Sequence, residues 1–148
     1  MSKLVYVPPP VYALLALGAC HGLAIWLPIP LDLSAPSLGI LLILLAVGLL
    51  AWAAWSFRRR STTPLPTGTP SALVDAGPYR WTRNPMYLAL VIALTSVSPF
   101  TGSPWYLLAP PAFWLIANTV FIPYEEAKLD RLFGQEYQDF RARVRRWL

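Results

Sequence analysis

Apolar residues fall into four runs along the chain, and the breaks between them are short and rich in proline. The runs predict helices at about 11–27, 38–57, 84–100 and 105–122. Each is free of Lys, Arg, Asp and Glu. A helix needs roughly 17–25 apolar residues to cross a bilayer, at about 1.5 Å of rise per residue. Pro8, Pro9 and Pro10 stiffen the approach to the first run and suit a helix N-terminus. Pro28, Pro30 and Pro36 mark the first loop. Residues 61–71, STTPLPTGTPS, have no periodicity and read as a loop. A tight turn rich in Ser, Thr, Pro and Gly joins the third and fourth runs into a hairpin.

The last segment, 124–148, is different material. Pro123 is expected to end the fourth run. Beyond it, Leu129, Leu132 and Phe133, then Tyr137, Phe140 and Val144, recur at spacings of three and four, with Gly134 between the groups. This predicts one broken or two short amphipathic helices at the membrane interface. The expected fold is therefore all-α: one integral membrane domain over 1–148, with four transmembrane helices and a cytoplasmic amphipathic C-terminal segment.

Charge orients this arrangement. Arg58, Arg59 and Arg60 follow the second run, and neither predicted outer loop holds a lysine or arginine. The positive-inside rule then places both termini in the cytoplasm, Met1 beside Lys3 included. The small size and short outer loops suggest a prokaryotic inner membrane. Composition agrees: 56% of the 148 residues are hydrophobic and 13% charged, against about 25% charged in a soluble domain. The net charge of +5 reflects arginines beside apolar runs, so membrane lipids are the expected partners and nucleic acid is not. The single cysteine, Cys20, excludes an internal disulfide. Cys20 and His21 are adjacent and face different ways on a helix, so no metal site is expected. Gly18 and Gly22, four apart, are suited to close approach of a neighbour.

The strongly polar clusters fall on one side of the membrane. One is AGPYRWTRNPMY at 76–87; the other begins with Glu125, Glu126 and Lys128 after the fourth run. The hairpin brings the two together into a cytoplasm-facing pocket with acidic, basic, amide and aromatic groups. A zwitterion fits such a pocket, with its carboxylate near Arg80 or Arg83 and its ammonium near Glu125 or Glu126. The simpler reading treats the arginines as topology markers, Trp81 and Tyr87 as interface anchors, the glutamates as helix caps, and Asn84 as the N-cap before Pro85.

The order GPYRWTRNPMY, helical hairpin, EEAKLDRLFGQEYQDFRARVRRW resembles the membrane methyltransferase family that includes isoprenylcysteine carboxyl methyltransferases and phospholipid N-methyltransferases. Members show GPY-x-x-x-RHP-x-Y, then EE-x-x-L and FG-x-x-Y-x-x-Y, then a basic residue and an aromatic. Gly77, Pro78, Tyr79, Arg83, Pro85 and Tyr87 match the first motif. Glu125, Glu126, Leu129, Phe133, Gly134, Tyr137 and Trp147 match the second, with Phe140 in the second tyrosine position. The resemblance covers about 73–148. Asn84 stands where the family has histidine; asparagine orients a ligand but neither takes a proton nor carries charge.

The resemblance implies S-adenosyl-L-methionine as cofactor, in a membrane site without a G-x-G-x-x-G loop. It implies cofactor-binding roles for Tyr79, Arg80, Arg83, Asn84, Pro85, Tyr87, Glu125 and Glu126, with Arg83 and Glu126 as catalytic candidates. The implied activity is methyl transfer to a lipophilic or amphiphilic acceptor. Because Asn84 supplies no base, O- or S-methylation is favoured over N-methylation. The alternative is a non-catalytic scaffold or lipid-binding subunit derived from the same family.

Overall fold

The computed structural model describes residues 3–62 and 68–148. Met1 and residues 63–67 of the 61–71 loop lie outside the described residues. The chain is all-α. After a short 3-10 turn at Lys3–Tyr6 come α1 (Pro9–Trp26) and α2 (Pro36–Arg59). A 3-10 turn at Gly77–Arg80 leads into α3 (Pro85–Thr95), which runs with a small irregularity at Ser96 into α4 (Val97–Thr101). A 3-10 turn at Pro104–Leu108 opens a long helical stretch made of α5 (Ala109–Ile116), a π-turn (Ala117–Phe121) and α6 (Ile122–Phe133). The last helix is α7 (Gln135–Arg143).

Among the described residues, three helical stretches are long and apolar enough to cross a membrane: Pro9–Trp26, Pro36–Arg59 and Pro104–Phe133. Pro85–Thr101 is a shorter apolar helix. The chain is an integral membrane protein, and the outward leucines agree: Leu14, Leu15, Leu44 and Leu45 are all exposed. In water such faces would have to be covered; in a bilayer they meet lipid.

The fourth helix does not stop where proline predicts. Pro123 sits in the first turn of α6, and the helix continues to Phe133. A proline lacks the N–H and crowds the carbonyl four residues back. Here the preceding turn widens: the Ile122 N–H reaches the Ala117 carbonyl, five residues back, which absorbs the misfit. The break comes at Gly134, whose φ of +50° ends α6 and turns the chain into α7.

Two buried clusters organise the packing. The first joins α1, α3 and the long fourth stretch through Ala13, Tyr87, Leu94, Phe113, Ala117 and Phe121. The second joins α2, the 73–79 segment and α7 through Ala53, Leu73, Val74, Tyr79, Tyr137 and Phe140. The central helix is the fourth one, where Phe113, Ala117, Phe121 and Ile122 are fully buried. Gly18 and Gly22 have no neighbour within reach of a Cβ. The close approach falls instead at Gly39, where a Cβ would stand 3.1 Å from the Phe100 ring.

At the hairpin end, α1 is tied to the 104–108 turn. The Trp105 indole donates to the Leu27 carbonyl at 2.7 Å, and His21 Nδ1 lies 2.8 Å from the Tyr106 hydroxyl. His21 and Cys20 therefore belong to packing between helices, and among the described residues no group of three metal-ligating side chains occurs. At the opposite end, Ser71 bonds back to Ser61 and Thr62, and Arg60 pairs with Asp75 at 2.8 Å.

Candidate active site

The site is built where the two clusters meet. Gly77 adopts a φ of +63° and starts the 3-10 turn that carries Pro78 and Tyr79 inward. Its backbone presses on α2: a Cβ there would stand 2.6 Å from the Ser56 hydroxyl. Tyr79 is buried and meets Phe57 edge-on at 5.5 Å. Trp81 stays exposed but packs on Trp52 at 5.4 Å. Pro85 then begins α3, and its first turn delivers Tyr87 into the first cluster, stacked against Phe121.

A cavity of about 450 Å³ opens between these elements. Tyr79, Arg83, Asn84, Tyr87 and Glu125 supply its polar groups. Leu50, Phe57, Met86, Leu90 and Leu129 supply an apolar wall. The Tyr87 hydroxyl donates to Glu125 Oε1 at 2.6 Å, which fixes the carboxylate against the cavity. Burial, then the nearby Glu125 charge, holds the Tyr79 phenol well above its ordinary pKa, so it stays protonated.

Arg83 sits at the back of this cavity in a dense knot. Its Nη2 donates to Glu126 Oε1 at 2.7 Å; its Nη1 donates to the Val144 carbonyl at 2.7 Å and the Arg141 carbonyl at 3.1 Å. Its main-chain N–H meets the Arg145 carbonyl at 2.9 Å. Arg146 grips the same glutamate through Nη2 at 2.6 Å and Nε at 3.2 Å. One carboxylate thus faces two guanidinium groups. Arg83 Nε is buried and has no partner among the described residues. A buried donor of this kind is costly unless a ligand satisfies it.

The residues singled out from sequence divide accordingly. Tyr79, Arg83, Asn84, Tyr87 and Glu125 are brought together around one cavity. Arg80 is exposed and outside its lining; Pro85 is buried at the start of α3; Glu126 is engaged by the two arginines behind it. Asn84 heads α3, but its side chain makes no cap: the amide donates to the Arg146 carbonyl at 2.8 Å. Sequence reasoning missed the N-terminal wall, where Val5, Tyr6 and Pro8–Pro10 close one side of the cavity. It also left Arg146 and Asn118 without a role at the site. The unusual polarity of Asn118 inside an apolar run was the available signal.

The donor set suits S-adenosylmethionine. Glu125 offers a carboxylate for a cation, Arg83 a positive charge for a carboxylate, Asn84 an amide, and Tyr79, Tyr87 and Phe57 ring faces. The volume lies within the roughly 300–1,000 Å³ of small-molecule sites.

The chain is a helical membrane protein with a cavity whose polar groups face an apolar wall. The chain belongs to the phospholipid methyltransferase family, whose model matches residues 35–136. It is therefore an S-adenosylmethionine-dependent membrane methyltransferase. It is also similar to an uncharacterized protein of Haemophilus influenzae, 36% identical over 63 residues, which covers 43% of this chain and all of that protein. No solved structure matches it.

Proposed function

We propose that the cavity holds S-adenosylmethionine with its polar end at Arg83, Asn84 and Glu125, and that it methylates an amphiphile whose tail lies along Leu50, Met86, Leu90 and Leu129. One observation carries this reading: both motif halves, far apart in sequence, contribute polar side chains to a single cavity with an apolar wall. When bound, the cofactor supplies a methyl group activated by its sulfonium charge. Glu125, oriented by Tyr87, faces that positive charge. Arg83, at the cavity wall, takes the cofactor carboxylate, while Glu126 holds the guanidinium in place. The rings of Tyr79 and Tyr87 favour a cation by about 0.5–2 kcal/mol.

The work of the protein is to align the acceptor with the methyl group and to keep water out. Asn84 brings no base, and Glu125 is engaged by Tyr87 and the cofactor, so the acceptor is one that attacks as an anion: a carboxylate or a thiolate. The polar end lies at the cytoplasmic face, with Arg58, Arg59 and exposed Arg80 at the headgroups and both termini on that side. α6 carries the fourth helix out to that face, and α7, turned at Gly134, lies along the interface as part of one domain.

The test is calorimetric binding of S-adenosylmethionine to the protein in nanodiscs, with Glu125→Gln alongside. Wild-type binding that Glu125→Gln abolishes supports the reading. Absence of binding by folded wild type at millimolar cofactor would overturn it in favour of a scaffold role. Transfer of radiolabelled methyl to a prenylated cysteine carboxylate, a lipophilic thiol or phosphatidylethanolamine then sorts the acceptor class.

A further inference from the structure

The one amide inside the fourth apolar run faces the end of the chain. Asn118 lies in the π-turn at Ala117–Phe121. Its Oδ1 accepts from Arg146 Nη1 at 3.3 Å and from Trp147 Nε1 at 3.2 Å. Trp147 also packs on Trp114 at 5.9 Å. An amide in a membrane helix is expensive without partners, and π-turns are frequent at functional sites. Here the widened turn and the amide meet at one position.

The tail that Asn118 holds is bonded directly to the cavity wall. The Arg146 carbonyl takes both the Asn84 amide, at 2.8 Å, and the Thr82 hydroxyl, at 3.1 Å. The Arg145 carbonyl takes the Arg83 N–H, and the Val144 carbonyl takes the Arg83 guanidinium. Two of these residues, Arg83 and Asn84, line the cavity. The path is continuous: Asn118, the Arg146–Trp147 side chains, three successive tail carbonyls, then the two cavity side chains.

We infer that Asn118 is a positioning residue of the methyl-transfer site, acting through the C-terminal tail to hold Arg83 and Asn84 in register with the cavity. This rests on the reading that the cavity holds S-adenosylmethionine. Asn118 touches neither cavity nor Glu125 in any of these bonds, so its effect is indirect. Loss of its oxygen removes two bonds that hold the tail and leaves the Glu126–Arg146 pair to hold it, so the carbonyls that aim the donors on Thr82, Arg83 and Asn84 are less firmly fixed.

The experiment is calorimetric titration of S-adenosylmethionine into full-length wild type, Asn118→Leu and Asn118→Asp in nanodiscs, with thermal unfolding in parallel. Asn118→Leu removes the acceptor; Asn118→Asp keeps it. Kd is expected to rise about tenfold or more in Asn118→Leu and to return to within about threefold of wild type in Asn118→Asp, as two lost hydrogen bonds predict. A change in unfolding temperature with Kd unchanged would mean a merely structural role and overturn the inference. Equal weakening by both variants, each folded, would do the same. If Asn118→Leu does not fold, Trp147→Phe decides, since it deletes one donor and leaves the helix intact: a raised Kd supports the inference and an unchanged one overturns it. Failure of wild type itself to bind would instead remove the cofactor reading on which the inference stands.

Discussion

Asn84 and Arg146 are joined by a 2.8 Å hydrogen bond from the side-chain amide of one to the main-chain carbonyl of the other. The role visible for Asn84 is donation to the tail, one that an imidazole N–H could also fill. Asn84→Ala should cost about 0.5–1.5 kcal/mol, because the Arg146 carbonyl keeps Thr82 as a partner. Asn84→His should retain the fold and tail docking. Thermal unfolding and cofactor calorimetry on both variants check this. Wild-type behaviour of Asn84→Ala in both assays would show that the bond does nothing.

Burial separates the chain's ion pairs. Glu126 and Arg83 are 13% and 10% exposed, with Arg146 closing the group. Arg60 and Asp75 are 50% and 42% exposed. Glu126→Gln leaves two guanidinium groups facing each other without a countercharge, and breaking a buried pair costs about 3–5 kcal/mol. Asp75→Asn should cost less than about 1 kcal/mol. Unfolding of the two variants in the same detergent should differ by that margin. Equal losses would mean that the buried pair is as well solvated as the surface one.

The architecture was largely legible before any coordinates. Apolar runs bounded by proline and arginine marked four membrane helices, because bilayer thickness leaves few solutions for such runs; among the described residues three are long enough to cross, and Pro85–Thr101 is a shorter apolar helix. The cavity was legible through its motif residues, since Tyr79, Arg83, Asn84, Tyr87 and Glu125 do converge. Three features were not. Hydropathy cannot tell a central helix from a peripheral one, so nothing marked the burial of Phe113 and Phe121. Pro123 obeyed its local rule but was accommodated by a π-turn, a tertiary solution invisible to single-residue propensity. The tail contacts run through main-chain carbonyls at 144–146, whose acceptors every residue type shares.

Two glycines test the backbone argument. Gly77 has a φ of +63°, and a Cβ there would lie 2.6 Å from Ser56 Oγ and 3.0 Å from Trp52 Nε1. Gly18 is helical with nothing within 4 Å. Gly77→Ala should destabilise by more than about 1 kcal/mol, from both the left-handed backbone and the crowding. Gly18→Ala should be neutral or stabilising by up to about 1 kcal/mol, through helix propensity. Thermal unfolding of each settles the ranking. A tolerant Gly77→Ala would mean that the 77–80 turn is not fixed against α2.

Alkaline pH should loosen the packing of α7. Burial, then the Glu126 charge, pushes the Tyr137 phenol up from 10.0 to about 12. Its folded pKa lies above its unfolded one, so the folded state holds the proton more tightly. The stability this provides is fully present below pH 10 and is lost as pH rises towards 12. Tyr79 shifts in the same direction, so its contribution has the same sign. Tyr137→Phe removes the ionisable group from the second cluster while keeping the ring that packs on Phe140. The variant should therefore unfold less steeply than wild type between about pH 10 and 12. Urea or thermal midpoints measured across that range provide the check. Identical slopes for wild type and Tyr137→Phe would show that Tyr137 ionises as freely in the folded protein as in the unfolded chain.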